Sequence, residues 1–126
     1  MLDKTILTKY IGRDYAKYNC FDLVKEFYMD FYFLDLRYYF EGKIVPERKE
    51  IESLVVTNRG DFLKVDSPEF GDLVFINLYG YTSHIGVCVG KGKFLHSMKK
   101  VGSCCDSLAR YSKMIDGFYR HRERAQ

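Results

Sequence analysis

No apolar run in this chain of 126 residues approaches the length of a membrane span, so a spanning helix is not expected. The opening residues, Met1-Leu2-Asp3-Lys4-Thr5-Ile6-Leu7-Thr8, lack a basic region followed by an apolar stretch. No secretory leader is therefore expected, and the chain is expected to be made and first folded in a cytosol. Its four cysteines are then expected to be reduced. Cys104 and Cys105 are neighbours, poorly placed to bridge each other, so no disulfide scaffold is expected. Cys-x-x-Cys pairs and closely spaced histidine pairs are missing, which argues against zinc and leaves no metal or other cofactor expected. A phosphate-binding loop is missing too, because Gly90-Lys91-Gly92-Lys93 is too short and too hairpin-like. The net charge is only +3, and only the tail Arg120-His121-Arg122-Glu123-Arg124 is locally basic. Nucleic-acid binding wants a larger basic surface, so the tail reads as a solvated chain end with His121 exposed. Repeats, linkers and low-complexity segments are also absent.

What the chain does contain is apolar and aromatic: 47% hydrophobic and 17% aromatic residues, with 11 Tyr and 10 Phe. That composition belongs to a folded protein, and the length suits one domain, residues 1–126, with a real core. From Cys20 to about Leu34, apolar residues recur at helical spacing through Phe21, Val24, Tyr28 and Phe31, and Asn19 is a plausible N-cap. A weaker helical pattern runs from Pro46 to Asn58. After the turn Asp66-Ser67-Pro68-Glu69-Phe70-Gly71-Asp72 the character becomes β. Leu73–Asn77 reads as a strand, and His84–Val89 with Lys93–Ser97 as a hairpin. A short helical stretch near Asp106 to Tyr111 and a final strand over Met114–Arg120 follow. The expected class is α+β.

Cys20 sits in Tyr18-Asn19-Cys20-Phe21-Asp22-Leu23-Val24, in the first turn of the expected helix. Unpaired backbone N–H groups and the helix dipole there favour a thiolate, which Asp22 partly opposes. A nucleophilic thiol needs a base and a group to orient that base, and His84 and His96 are the candidates. If Gly90-Lys91-Gly92 is a three-residue loop, Val89 faces Lys93 and Gly86 faces His96. The two histidines then share one face as diagonal neighbours about 7–8 Å apart, with Gly86 leaving the space between them open. A two- or four-residue loop would put them on opposite faces. On these residues alone, Cys20 reads first as a small buried hydrophobe, and each histidine equally as a base candidate or a satisfied strand residue. Cys88 reads as a core filler, and Cys104 and Cys105, in a loop or helix start without an obvious base, as structural.

Asn19-Cys20-Phe21-Asp22-Leu23-Val24, Phe70-Gly71-Asp72-Leu73-Val74-Phe75, His84-Ile85-Gly86-Val87-Cys88-Val89-Gly90, Gly92-Lys93-Phe94-Leu95-His96 and Gly117-Phe118-Tyr119-Arg120 together resemble the ordered landmarks of the NlpC-type cysteine peptidases, papain-like cell-wall endopeptidases. The resemblance runs from about Tyr10 to Arg120. It implies N-terminal helices packed on a central antiparallel sheet. It also implies Cys20 as nucleophile, His84 as base, His96 as the residue orienting that base, and Tyr15 as a residue shaping the substrate site. The implied substrates are peptidoglycan stem peptides, cut at amide bonds. The chain looks most like the branch encoded by tailed bacteriophages, which implies a virion tail-tip location, other tail-tip proteins as partners, and no membrane insertion. Asn19-Cys20-Phe21-Asp22 departs from the acidic-Cys-Ser-Gly core of bacterial members, and Ala16-Lys17-Tyr18 stands where glycines are usual. Both departures bear on substrate preference more than on the chemistry. Two other readings use the same fold: a structural tail plug whose Tyr and Phe side chains serve as contact surface, and an acyl or lipid transferase with an apolar groove beside Cys20.

Overall fold

The computed structural model describes residues 7–36, 62–78 and 82–124. Among these, one α-helix, α1 (Cys20–Tyr32), precedes six strands: β1 (Phe62–Val65), β2 (Leu73–Asn77), β3 (Thr82–Gly90), β4 (Lys93–Met98), β5 (Gly102–Ser107) and β6 (Ile115–His121). The strands form one antiparallel sheet in the order β1-β6-β2-β3-β4-β5. The α+β class holds, and the expected plurality of N-terminal helices is not borne out among the described residues, where α1 is preceded by the helical Leu7 and a 3₁₀ turn over Thr8–Tyr10. The Pro46–Asn58 pattern lies outside the described residues.

Asn19 starts α1 as expected. Its side-chain oxygen accepts the Phe21 and Asp22 amides at 2.9 and 3.0 Å, and Asp22 returns the favour by accepting the Asn19 amide at 3.0 Å. This reciprocal cap satisfies donors that a helix start otherwise leaves open. Phe33, in the left-handed region at φ 54°, ends the helix. The buried stripe of Phe21, Leu23, Val24, Phe27 and Tyr28 packs on the sheet face that carries Leu73, Phe75, Ile85, Val87 and Leu95. Val74, Ile76, Cys88 and Phe94 form a second core on the other face, closed by Tyr111. Most of the described aromatics are turned inward, with Phe27 and Phe31 stacked at 4.4 Å and Tyr10 and Phe70 beside them. Only Phe33 among them is strongly exposed.

The β3–β4 hairpin reaches the expected register by an unexpected route. Gly90 pairs with Lys93, so the loop is the two residues Lys91-Gly92, both at positive φ (55° and 71°) as a primed turn requires. Alone, that loop would put the histidines on opposite faces. A bulge between Cys88 and Gly90, with Gly90 at φ 88°, adds one residue and restores the pairing Val87↔Leu95. Extended by one, that register faces Gly86 with His96. A β-carbon on Gly86 would lie 3.3 Å from His96 Cβ.

β5 replaces what the sequence reads as loop and helix start. It pairs with β4 from Lys93↔Ser107 to Met98↔Gly102, and only Leu108–Tyr111 forms a 3₁₀ turn. The outer edge of β5 is held by the N-terminal segment: Gly12 N–H donates to Ser103 O (2.7 Å) and Ser103 N–H to Arg13 O (2.9 Å). His121 is not an exposed tail residue. It is buried on β6 opposite Phe62, its ring edge-on to that phenyl at 5.0 Å.

Candidate active site

The tip of α1 lies where β3 and β4 stop pairing with each other. Their ladder ends at Val87↔Leu95. Beyond it, the Ile85 amide is directed at the Cys20 sulfur, and the Ser97 hydroxyl donates to Tyr18 O at 2.6 Å. The helix start is thus wedged against the ends of both strands. Cys20 is held beside the backbone of Ile85, the residue that follows His84.

The two imidazoles meet. His84 Nε2 and His96 Nδ1 are 2.7 Å apart, with ring centroids at 4.9 Å. Both histidines lie on the sheet face of Phe94 and Tyr111, against which the His96 ring packs at 4.4 and 5.7 Å. The line of contacts then continues past the expected set, because His96 Nε2 is 2.7 Å from Asp106 Oδ2. Arg110 Nη1 donates to Asp106 Oδ1 at 3.2 Å, and the Cys104 thiol to Oδ2 at 3.8 Å.

Burial controls the electrostatics. Cys20 and His84 are each 5% exposed and His96 not at all. Burial pushes the Cys20 thiol up to about 12, against the amides of Ile85, Cys20 and Phe21, and Asp22 adds to the rise. Burial, with His96 adding, holds His84 down to about 3. His96 is also held below its ordinary value by burial, although Asp106 pulls the other way. Asp106 stays below the usual carboxylate range because His96 and Arg110 outweigh its burial. The expectation of a thiolate favoured by the helix start is therefore corrected: the resting pair is a neutral thiol and a neutral imidazole. Burial outweighs what the helix start supplies, although the Cys20 and Phe21 amides still favour the thiolate and Asn19 shares the Phe21 amide.

Tyr15 is half-buried in the turn before the helix, its carbonyl accepting the Tyr18 amide at 3.2 Å. Cys88 fills the second core. Asp106 was missed, since the sequence places it at a helix start; the Asp106-x-x-x-Arg110 spacing was the available signal of a held carboxylate. Cys104 is not isolated either. The ligand atoms of His96, Cys104 and Asp106 lie within 4.8 Å of one another, the one group of that kind among the described residues. Two of them already share a hydrogen bond at 2.7 Å.

A model of the NlpC/P60 family matches residues 9–120. Among solved structures, the chain is similar to the crystal structure of the NlpC/p60 domain of the peptidoglycan hydrolase SagA. The two share 20% identity and a TM-score of 0.58, over 93% of this chain and 94% of that one. At that identity the likeness is one of fold. No curated protein sequence matches the chain.

Proposed function

This chain belongs to the NlpC/P60 family of cysteine peptidases and peptidoglycan hydrolases, and on that premise we propose that it is a peptidoglycan endopeptidase working through Cys20, His84 and His96. The observation that carries the reading is the Cys20 sulfur at the amide of Ile85, the residue that follows His84, whose imidazole is braced by a second imidazole at 2.7 Å. With Nε2 of His84 taken by His96, Nδ1 is the nitrogen that serves the thiol.

Because the resting pair is neutral, the thiol proton passes to His84 Nδ1 as the sulfur attacks the scissile carbonyl. The Cys20 N–H stabilises the oxyanion. Collapse breaks the C–N bond, and His84 returns its proton to the leaving amine. Water, deprotonated by the same nitrogen, then cleaves the thioester and restores the thiol. His96 stabilises the transient imidazolium.

We assign residues 1–126 to one such domain, with stem peptides as substrate and Tyr15 at the substrate site. The motif resemblance further supports a role at a bacteriophage tail tip, alongside other tail proteins in the virion. The near-complete burial of the Cys20 sulfur favours one rival, a plug that keeps the fold without turnover. The rival's aromatic contact surface finds less support, since the described aromatics mostly face the core. The test is digestion of purified peptidoglycan. Release of peptides by the wild type but not by Cys20→Ala supports the enzyme, and release by neither supports the plug.

A further inference from the structure

We propose that Asp106 is a positioning residue that sets the tautomer of both imidazoles through His96, leaving His84 Nδ1 unprotonated toward Cys20. The inference rests on the reading of His84 as the base. Its argument is a count of protons along a line of hydrogen bonds.

The carboxylate is the fixed end of that line. An ionised Asp accepts only, and Asp106 stays ionised because His96 and Arg110 outweigh its burial. His96 Nε2, 2.7 Å from Oδ2, must therefore carry a proton. A neutral imidazole has one N–H, so His96 Nδ1 is an acceptor. Its neighbour at 2.7 Å, His84 Nε2, must then be the donor. The one proton of a neutral His84 is thereby placed, and Nδ1 is left bare to receive the thiol proton. Both rings are kept neutral by their burial. Without the carboxylate, the pair is equally satisfied with both protons moved over, and His84 then presents an N–H to Cys20 and is useless as a base. Asp106 thus selects between two arrangements that have the same heavy-atom geometry.

The carboxylate cannot easily turn away. Oδ1 takes the Arg110 guanidinium at 3.2 Å, and Oδ2 also takes the Cys104 thiol. Burial keeps that thiol protonated by pushing it up to about 11. Arg110 also dictates what an amide would do at this position. In Asp106→Asn the oxygen is drawn to the guanidinium, which only donates, and the NH₂ faces His96 Nε2. That forces the reversed arrangement.

The test is nitrogen-15 NMR of histidine tautomers in the full chain, with turnover on peptidoglycan measured beside it. In the wild type, His84 and His96 are both expected as Nε2–H tautomers; a His96 proton on Nδ1 overturns the proposal without any variant. In Asp106→Asn both are expected to switch to Nδ1–H, with turnover falling about 10²–10⁴-fold and KM nearly unchanged. In Asp106→Asn/Arg110→Met the amide oxygen is free to face His96, and the wild-type tautomers return with part of the turnover. Unchanged tautomers in folded Asp106→Asn refute the proposal. A tautomer switch in a protein that never cleaves peptidoglycan supports the proposal while removing the hydrolase reading.

Discussion

Replacing Gly86 by alanine tests whether the hairpin brings the histidines together in the way described. The added β-carbon would lie 2.7 Å from Leu95 O and 2.8 Å from Phe94 Cδ2, and the first of these is backbone in the neighbouring strand. Neither atom can withdraw without moving β4, so the substitution overpacks the sheet at a cost of about 1–3 kcal/mol. At about 4 °C per kcal/mol for a domain of this size, the melting temperature drops by about 4–12 °C. The internal control is Gly117→Ala, whose β-carbon would meet only side-chain atoms, Lys64 Cε at 3.1 Å and Tyr119 Cε1 at 3.2 Å, both farther than the contacts at Gly86. It is expected to cost about 1 kcal/mol or less, because the lysine swings aside and the ring needs to give by only a few tenths of an ångström. Circular-dichroism melts of the two variants and the wild type give the comparison. Because His96 Cβ stands 3.3 Å from the same site, the moved strand also displaces that ring, and turnover at 10 °C, where the variant remains folded, should fall by more than about tenfold. A Gly86→Ala protein that melts with Gly117→Ala would refute the register, and with it the shared face of the histidines.

Three further outcomes follow from the same geometry. His84 is depressed from 6.5 to about 3, so the unfolded chain takes up the proton first: the stability its neutral ring contributes is present above pH 6.5 and is lost as pH falls toward 3. Urea titrations from pH 7 to 4 should show this as a slope of up to about 1.4 kcal/mol per pH unit that flattens in His84→Gln; equal slopes would refute burial of a neutral ring. Arg120 grips the buried Asp72 with two hydrogen bonds of 2.9 and 2.8 Å, so Arg120→Met strands a carboxylate and should cost about 3–5 kcal/mol in denaturant, partly recovered in Asp72→Asn/Arg120→Met. Asn19→Ala removes the helix cap and should cost about 1 kcal/mol by the same measurement, against a much smaller loss for Asn19→Asp.

The helix start was legible in the sequence because a cap is a local device: Asn19 and Asp22 lie within one turn of each other, and their hydrogen bonds need nothing from elsewhere. The shared histidine face was legible in its result though not in its route, since a two-residue loop plus a bulge gives the same parity as a three-residue loop. β5 was not legible. Its Gly-Ser-Cys-Cys-Asp-Ser has neither alternation nor β-branched residues, and it is a strand because β4 offers it a partner. Asp106 was lost with it. The state of Cys20 was misjudged for a related reason, because a dipole argument uses neighbours in sequence, whereas the burial that dominates comes from the distant strands packed around the helix tip. His121 shows the same limit: among arginines it looks solvated, yet strand alternation and Phe62 bury it.

The helix tip is tied to Ser97, and the segment leading to it is tied to Ser103. In the order of translation, the thiol leaves the ribosome more than sixty residues before either imidazole, and its anchors come later still. A nascent chain accordingly displays an ordinary, exposed cysteine for most of its synthesis. On the proposed reading, catalytic competence arrives only when the strands that carry both imidazoles have formed, so interrupted products of this sequence carry Cys20 without its base.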